Sequence, residues 1–182
     1  MKSDVQPLPI EQWKGHKLPF SYSSTHFYDA VITQSDGIFS AVFTKTPFET
    51  QYNHVDEGFD SLYQDHWDGA EAYGIFDGGN LAACIEIWRE EWSNRLRVTE
   101  MWVAESYRRQ GLGAKLMSFA KQKAAKLKCR AVMLETQSCN ANAIEFYLSQ
   151  GFTFFGFDRS CYGNRDVERR EVRLELGIYL EV

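Results

Sequence analysis

The sequence predicts an α/β fold of the α+β kind: a mixed, mostly antiparallel sheet with one β-α-β unit set into it. Three observations carry that reading. Two pairs of segments rich in β-branched and aromatic residues are each joined by a glycine-containing turn. One stretch of helical period lies between two apolar, strand-like runs. A last pair of strand-like segments, Phe152–Phe157 and Glu171–Leu176, closes the chain as an antiparallel pair.

The elements follow in order. Residues 1–25 are polar and punctuated by Pro7 and Pro9, which predicts an irregular arm. Phe27–Gln34 and Ile38–Thr46 flank Asp36-Gly37; glycine tolerates the positive φ of a tight turn, so the pair reads as a hairpin. Residues 47–68 are mixed and acidic, with a short helix expected over Asp56–Gln64. Ala72–Phe76 and Leu81–Trp88 flank Asp77-Gly78-Gly79-Asn80, residues that readily take left-handed conformations, and form a second hairpin. A strand over Leu96–Ala104 follows the Ser93-Asn94 turn. Then the period changes. From Gly111 onward Leu112, Leu116, Phe119, Ala120, Ala124 and Leu127 fall largely on one face of a helix. Ala131–Glu135 is a buried strand, so 96–135 reads as a right-handed parallel crossover. A shorter helix over Asn140–Leu148 stops before Gly151, which stands in the position of a C-cap glycine.

The 182 residues suit a single domain with one core. Hydrophobic residues make up 44% and charged residues 25%, which excludes a disordered or fibrous chain. Lys and Arg number 20 against 25 Asp and Glu, a formal net charge of −5. That balance argues against nucleic acid as a partner and suits a small cationic substrate. No run approaches a membrane span and no signal-like apolar run opens the chain, so a cytoplasmic protein without membrane association is expected. Cys84, Cys129, Cys139 and Cys161 form no Cys-x-x-Cys pair and have no matching histidine spacing, so neither metal nor redox chemistry is expected.

The most informative stretch is Arg108-Arg109-Gln110-Gly111-Leu112-Gly113-Ala114, which joins a strand to a helix N-terminus. Unpaired N–H groups and the helix dipole favour an anion there. Gly111 and Gly113 remove side chains where a phosphate would approach the backbone, and two arginines add positive charge. It is neither a Walker A loop nor a dinucleotide fingerprint, since Leu116 holds the third glycine position. A glycine-rich connection without a ligand is the alternative.

Downstream, Asn140, Ala143, Ile144, Tyr147, Gly151 and Phe152 stand in the pattern Asn-x-x-Ala-Ile-x-x-Tyr-x-x-x-Gly-Phe. With Arg108, Gly111 and Gly113 ahead of them, the sequence resembles the GNAT superfamily of acetyl-CoA-dependent N-acetyltransferases. Leu134-Glu135-Thr136-Gln137, Gly156-Phe157-Asp158 with Tyr162, and Trp92-Ser93-Asn94-Arg95 make it most similar to the streptothricin acetyltransferases within that superfamily. The resemblance runs over about residues 71–176. It implies a GNAT fold with a β-α-β core for acetyl-CoA, and acetyl transfer to a primary amine, the β-lysine amine of streptothricin-class antibiotics. The two-strand N-terminal hairpin departs from the commoner GNAT pattern of two helices after the first strand.

The resemblance also implies roles. The backbone of Met101, Trp102 and Val103 would hold the pantetheine arm, amides from Arg109 to Ala114 (Gln110 and Leu112 among them) the pyrophosphate, and Asn140 a pantetheine amide; a helix N-cap is the alternative for Asn140. Tyr147 would protonate the departing thiolate; packing between helix and sheet is its alternative. The acceptor amine is protonated at neutral pH, so a carboxylate is needed to free its lone pair. Glu100 is the first choice, with an ion pair to Arg97 as its alternative, and Glu86 the second. Glu86, Trp88, Glu90, Glu91 and Trp92 form an acidic and aromatic cluster suited to a polycation, or else a solvated strand end. Asp158 and Tyr162 would line the same mouth. Edge strands of such a sheet often pair between subunits, which makes a homodimer a candidate state. Two alternatives stay open: a GNAT for another amine (polyamine, aminoglycoside or protein lysine), and a non-catalytic acetyl-CoA-binding module.

Overall fold

The structure, a computed structural model, describes residues 4–55, 58 and 60–181. In chain order its elements are β1 (Gln6–Pro7), α1 (Ile10–Trp13), β2 (Tyr22–Ser35), β3 (Ile38–His54), β4 (Glu71–Asp77), β5 (Asn80–Glu90), β6 (Arg95–Val103), α2 (Leu112–Lys126), β7 (Ala131–Gln137), α3 (Ala141–Ser149), β8 (Thr153–Asp158), α4 (Asp166–Arg169) and β9 (Arg173–Tyr179). They fall into two compact units: residues 1–20, 56–134 and 178–182 form one, and 21–55 with 135–177 the other.

In the first unit the strand order is β1-β4-β5-β6-β7. All neighbours are antiparallel except β6 and β7, which run parallel over Arg95↔Ala131, Leu96↔Val132 and Arg97↔Met133. The Gly78-Gly79 turn pairs Asp77 with Asn80, and both glycines take the positive φ that a two-residue hairpin turn requires. α2 buries Leu116, Met117, Ala120 and Ala124, the apolar stripe legible in its sequence. Lys123 on its flank bonds Glu71 and Tyr73 of β4.

Among the described residues of the segment expected to be an irregular arm, β1 and α1 form and β2 begins at Tyr22. β1 pairs with β4 through Gln6↔Gly74 and Pro7↔Tyr73, and Leu8 N–H donates to the Ala72 carbonyl at 2.9 Å. Pro7 is tolerated because β1 is an edge strand. Leu8 and Leu18, 1% and 0% exposed, join Leu62, Tyr63, Ala72 and Cys84 in a core cluster. Gly74 makes this packing feasible, since a Cβ there would come within 3.0 Å of Leu8 and 2.7 Å of Leu81. Two isolated leucines in a polar, proline-marked segment have no periodicity, and so hide their burial from a pattern reading.

The second unit holds β2, β3, α3, β8, α4 and the continuations of β7 and β9. β2 and β3 form the predicted hairpin about Asp36 and Gly37, with φ of 42° and 79°. Both strands run further than expected. β3 continues to His54, with Pro47 opposite His26 and a register shift that sets Phe48–Gln51 against the single residue Thr25. The helix expected over Asp56–Gln64 falls partly on Asp56, Glu57 and Phe59, outside the described residues. Over 60–64 the chain instead bridges Ser61 to Lys17 and turns at Leu62-Tyr63. α3 ends as predicted at Gly151 (φ 86°): Gly151 N–H donates to the Leu148 carbonyl and Phe152 N–H to that of Tyr147. This is a Schellman closure, and the Tyr147 and Phe152 rings meet across it at 6.2 Å. β8 pairs antiparallel with β9.

Candidate functional site

In the first unit the loop between β6 and α2 begins with a 3-10 turn over Glu105–Tyr107. Arg109 and Gly111 both lie in the left-handed region, with φ of 63° and 83°. Turns that alternate right- and left-handed residues can point successive N–H groups toward one side, a concavity suited to an anion. Glycine is required at 111 for its backbone rather than for space: a Cβ there would meet nothing within 4 Å. Gly111 is also the N-cap of α2 and gives its first turn no side-chain hydrogen bond. Those N–H groups are therefore offered outward at the positive end of the helix dipole. The loop is held from below. Tyr107 Oη donates to Asp77 Oδ2 at 3.0 Å, Arg108 Nε to the Val103 carbonyl at 3.2 Å, and Gln110 Nε2 to the Ser106 carbonyl at 2.9 Å. Arg109 is exposed.

The strand leading into this loop turns one edge away from β5, and on that edge the Val103 carbonyl accepts from Arg108 Nε. Ala104 N–H donates to Ala82 of β5, so by strand alternation Met101 and Val103 direct their N–H and C=O groups away from β5. Within the unit, the β6–β7 ladder stops at Arg97↔Met133, three residues before Glu100. Trp102 anchors its indole N–H on the Pro19 carbonyl at 3.1 Å.

Glu100 stands directly opposite Glu86 across β5 and β6. Ile87 pairs with Val98, so Thr99 is an extra residue and the pair sits at a β-bulge. Glu86 is fully buried. Its Oε1 accepts from Thr99 Oγ1 at 2.8 Å and its Oε2 from Tyr63 N–H at 2.5 Å. Burial pushes the Glu86 carboxyl up, and the Tyr63 and Thr99 hydrogen bonds and the His66 charge offset this only in part. Glu100 Oε1 accepts from Gln64 Nε2 at 3.4 Å. Arg97 lies 3.8 Å from Glu90. Thr99, Tyr63 and Gln64 escaped the sequence reading. A bulge is invisible to a period of two, and the 60–64 turn carries no motif.

The acidic and aromatic cluster is divided by the fold. Glu86 and Glu90 point inward, and Glu90 is held by Ser93 Oγ, by Arg95 at 2.5 Å and by Arg97. Trp88 donates to the Asp68 carbonyl at 2.9 Å and meets Trp67 at 5.2 Å. Only Glu91 and Trp92 face solvent; Trp92 is 82% exposed, with the Arg95 guanidinium 5.7 Å from its ring centroid. A single acidic face spanning all five does not form, because alternation along β5 sends Glu86 and Glu90 into the protein.

In the second unit Asn140 caps α3, its Oδ1 accepting from Ala143 N–H at 3.1 Å. Tyr147 is 9% exposed, beside Phe146 and Phe152. Asp158 Oδ1 accepts from the backbone and hydroxyl of Ser160 at the end of β8. Tyr162 is 43% exposed, and its backbone N–H donates to the buried Asp166 at 2.8 Å. Among the described residues no group of three or more His, Cys, Asp or Glu is placed to hold a metal, and no helix is long and apolar enough to cross a membrane.

A mixed, mostly antiparallel sheet with a parallel crossover matches the fold expected from the two motifs. The chain belongs to the acetyltransferase (GNAT) family, whose model matches residues 39–152. Among curated proteins it is 30% identical over 118 residues to streptothricin acetyltransferase A of Bacillus subtilis (strain 168), covering 65% of this chain and 66% of that one. It is 29% identical over 106 residues to a streptothricin acetyltransferase of Streptomyces lavendulae, covering 58% and 56%. The matches thus span between about half and two thirds of these relatives. Among solved structures the fold is that of nourseothricin acetyltransferase, with a TM-score of 0.80 and 21% identity over the whole of both chains. A provisionally assigned streptothricin acetyltransferase of Bacillus anthracis (strain Ames), solved with acetyl coenzyme A, gives 0.75 and 21%, again over both whole chains.

Proposed function

We propose that this chain transfers an acetyl group from acetyl-CoA to a primary amine by direct attack in a ternary complex. The acceptor is the β-lysine amine of streptothricin-class antibiotics, the substrate class in the names of its curated relatives. The observation that carries the reading is the uncapped first turn of α2 behind Arg109 and Gly111. Diphosphate oxygens would take its N–H groups, with Arg108 and Arg109 adding charge. The outward edge of Met101 and Val103 would pair with pantetheine amides and orient the thioester carbonyl, and the amide of Asn140 would add a contact to the same arm.

In the reaction, the amine loses a proton to Glu100, directly or through one water, and its lone pair attacks the thioester carbon. A C–N bond forms, the C–S bond breaks, and the departing thiolate takes the Tyr147 phenolic proton. Glu86, with both oxygens occupied internally, serves Glu100 rather than the substrate. Glu91, Trp92, Asp158 and Tyr162 remain for the cationic acceptor, and Trp88 packs on Trp67. The cysteines have no part in direct transfer.

A thiol-release assay with a panel of amines tests this. Streptothricin is expected to be acetylated in preference to spermidine, an aminoglycoside and a lysine peptide. No turnover of streptothricin alongside good turnover of spermidine would overturn the acceptor assignment. Tyr147→Phe is expected to reduce kcat about 10²-fold with acetyl-CoA affinity unchanged; wild-type turnover would remove its role.

A further inference from the structure

The turn at Leu62-Tyr63 lies outside every motif, yet it reaches the proposed base. Tyr63 has a φ of 59°, a conformation that bulky L residues rarely adopt. Such a residue persists only where its surroundings over-determine it, and such strain gathers at functional sites. Here three hydrogen bonds fix it. Its hydroxyl donates to the Leu8 carbonyl and accepts from Ala72 N–H, at 2.5 and 2.9 Å, and its N–H donates to Glu86 Oε2. The other oxygen of Glu86 is held by the bulge residue Thr99. The next residue, Gln64, then presents its side-chain amide to Glu100.

We propose that Gln64 is a positioning residue for the Glu100 carboxylate, held on target by the Leu62-Tyr63 turn that buried Glu86 pins to the bulge. By donating to Oε1, Gln64 would limit rotation of the carboxylate. The inference rests on Glu100 being the base. A fully buried carboxyl facing the base would then be retained to shape the turn and not to take a proton from substrate. An amide donor favours the ionised form of Glu100, so the base would stay competent at lower pH than it would alone. Among the described residues, the titratable groups seen to interact with the pair in this unit include Cys84 on β5, Tyr63 itself, and His66. Burial, then the charges of Glu100 and Glu86, push the Cys84 thiol up to about 12, so it remains neutral throughout the working range. Burial and the Glu86 charge also raise Tyr63.

The test is the pH dependence of kcat in the full chain with streptothricin. Gln64 is partly exposed, so Gln64→Leu is compatible with a folded protein. It is expected to move the ascending limb of kcat upward by about half a pH unit and lower kcat several-fold below that limb. KM for acetyl-CoA is expected to stay as in wild type. Glu86→Leu and Glu86→Gln both remove the charge opposite Glu100, which by itself lowers the limb, but only Glu86→Leu also takes the acceptor from Tyr63 N–H, so the limb is expected to lie higher in Glu86→Leu than in Glu86→Gln. The double variant Gln64→Leu/Glu86→Leu moves it no further than either single one, because both act through one contact. An unmoved limb in Gln64→Leu, with Glu100→Gln inactive, would overturn the positioning role and leave the base standing. A fully active Glu100→Gln with an unchanged pH profile would remove the base and this inference with it.

Discussion

Glu86 and Glu90 stand on the same face of β5, four residues apart, and titrate in opposite directions. Burial raises Glu86, whose hydrogen-bond donors are neutral. Burial also pushes Glu90 upward, but hydrogen bonds from Ser93 and Arg95 and the charges of Arg95 and Arg97 more than offset it, so Glu90 is lowered. The linkage signs follow. Glu90 contributes stability that is present above its unfolded pKa and is lost as pH falls through its folded value. Glu90→Gln should therefore destabilise the fold by roughly 3 kcal/mol at neutral pH, as expected when a buried pair loses one partner. Urea unfolding should show that difference shrinking toward pH 3. For Glu86 the sign reverses: its share of stability is intact below the unfolded pKa and lost as pH rises through the folded one. Glu86→Gln should gain on wild type in the same assay as pH rises above the ordinary glutamate range. At Gly111 only backbone strain opposes a side chain, so Gly111→Ala should lower stability by about 1 kcal/mol. A larger loss in thermal melts would mean that the loop has a packing role the open space around it does not reveal.

Elements bounded by glycine turns were the legible ones. Asp36-Gly37, Gly78-Gly79 and Gly151 all occupy the left-handed region, which few other residues tolerate, so their spacing alone located two hairpins and the end of α3. The helix stripe of α2 and both family motifs were legible for the same reason: each is a local repeat or a fixed spacing. What was not legible depends on distant partners. In the arm Leu8 and Leu18 are buried in the core cluster, β3 passes Pro47 by a bulge, and the inward aim of Glu86 and Glu90 follows from pairing with β6. The Asn140 cap can be separated from a ligand role at this scale. Asn140→Ala should destabilise α3 by about 1 kcal/mol, whereas Asn140→Ser retains a capping oxygen and should leave stability nearly unchanged. Weaker acetyl-CoA binding by the folded serine variant would assign its amide to the cofactor; equal binding would leave it a cap alone.

For the whole molecule, the candidate residues divide by unit. Glu86, Glu100, 101–103 and the 108–114 loop belong to the first, and Asn140, Tyr147, Asp158 and Tyr162 to the second. A net charge of −5 would draw the polycationic acceptor proposed here, while the proposed seat for the anionic co-substrate would depend on local arginines and N–H groups. Raising ionic strength from about 0.05 to 0.5 M, which shortens the Debye length to under half, should raise KM for streptothricin several-fold. An unchanged KM would argue for an acceptor held by shape instead of charge. Whole-chain likeness to nourseothricin acetyltransferase at 21% identity establishes the fold, and the chemistry rests on whether acetyl-CoA is seated at the start of α2. Isothermal titration of acetyl-CoA into the wild-type chain and into Gly111→Val tests that most directly. Saturable binding by wild type, lost or weakened at least tenfold in a folded variant, is the expected result. No heat of binding to the folded wild-type protein at millimolar acetyl-CoA, or equal affinity in both, would contradict it.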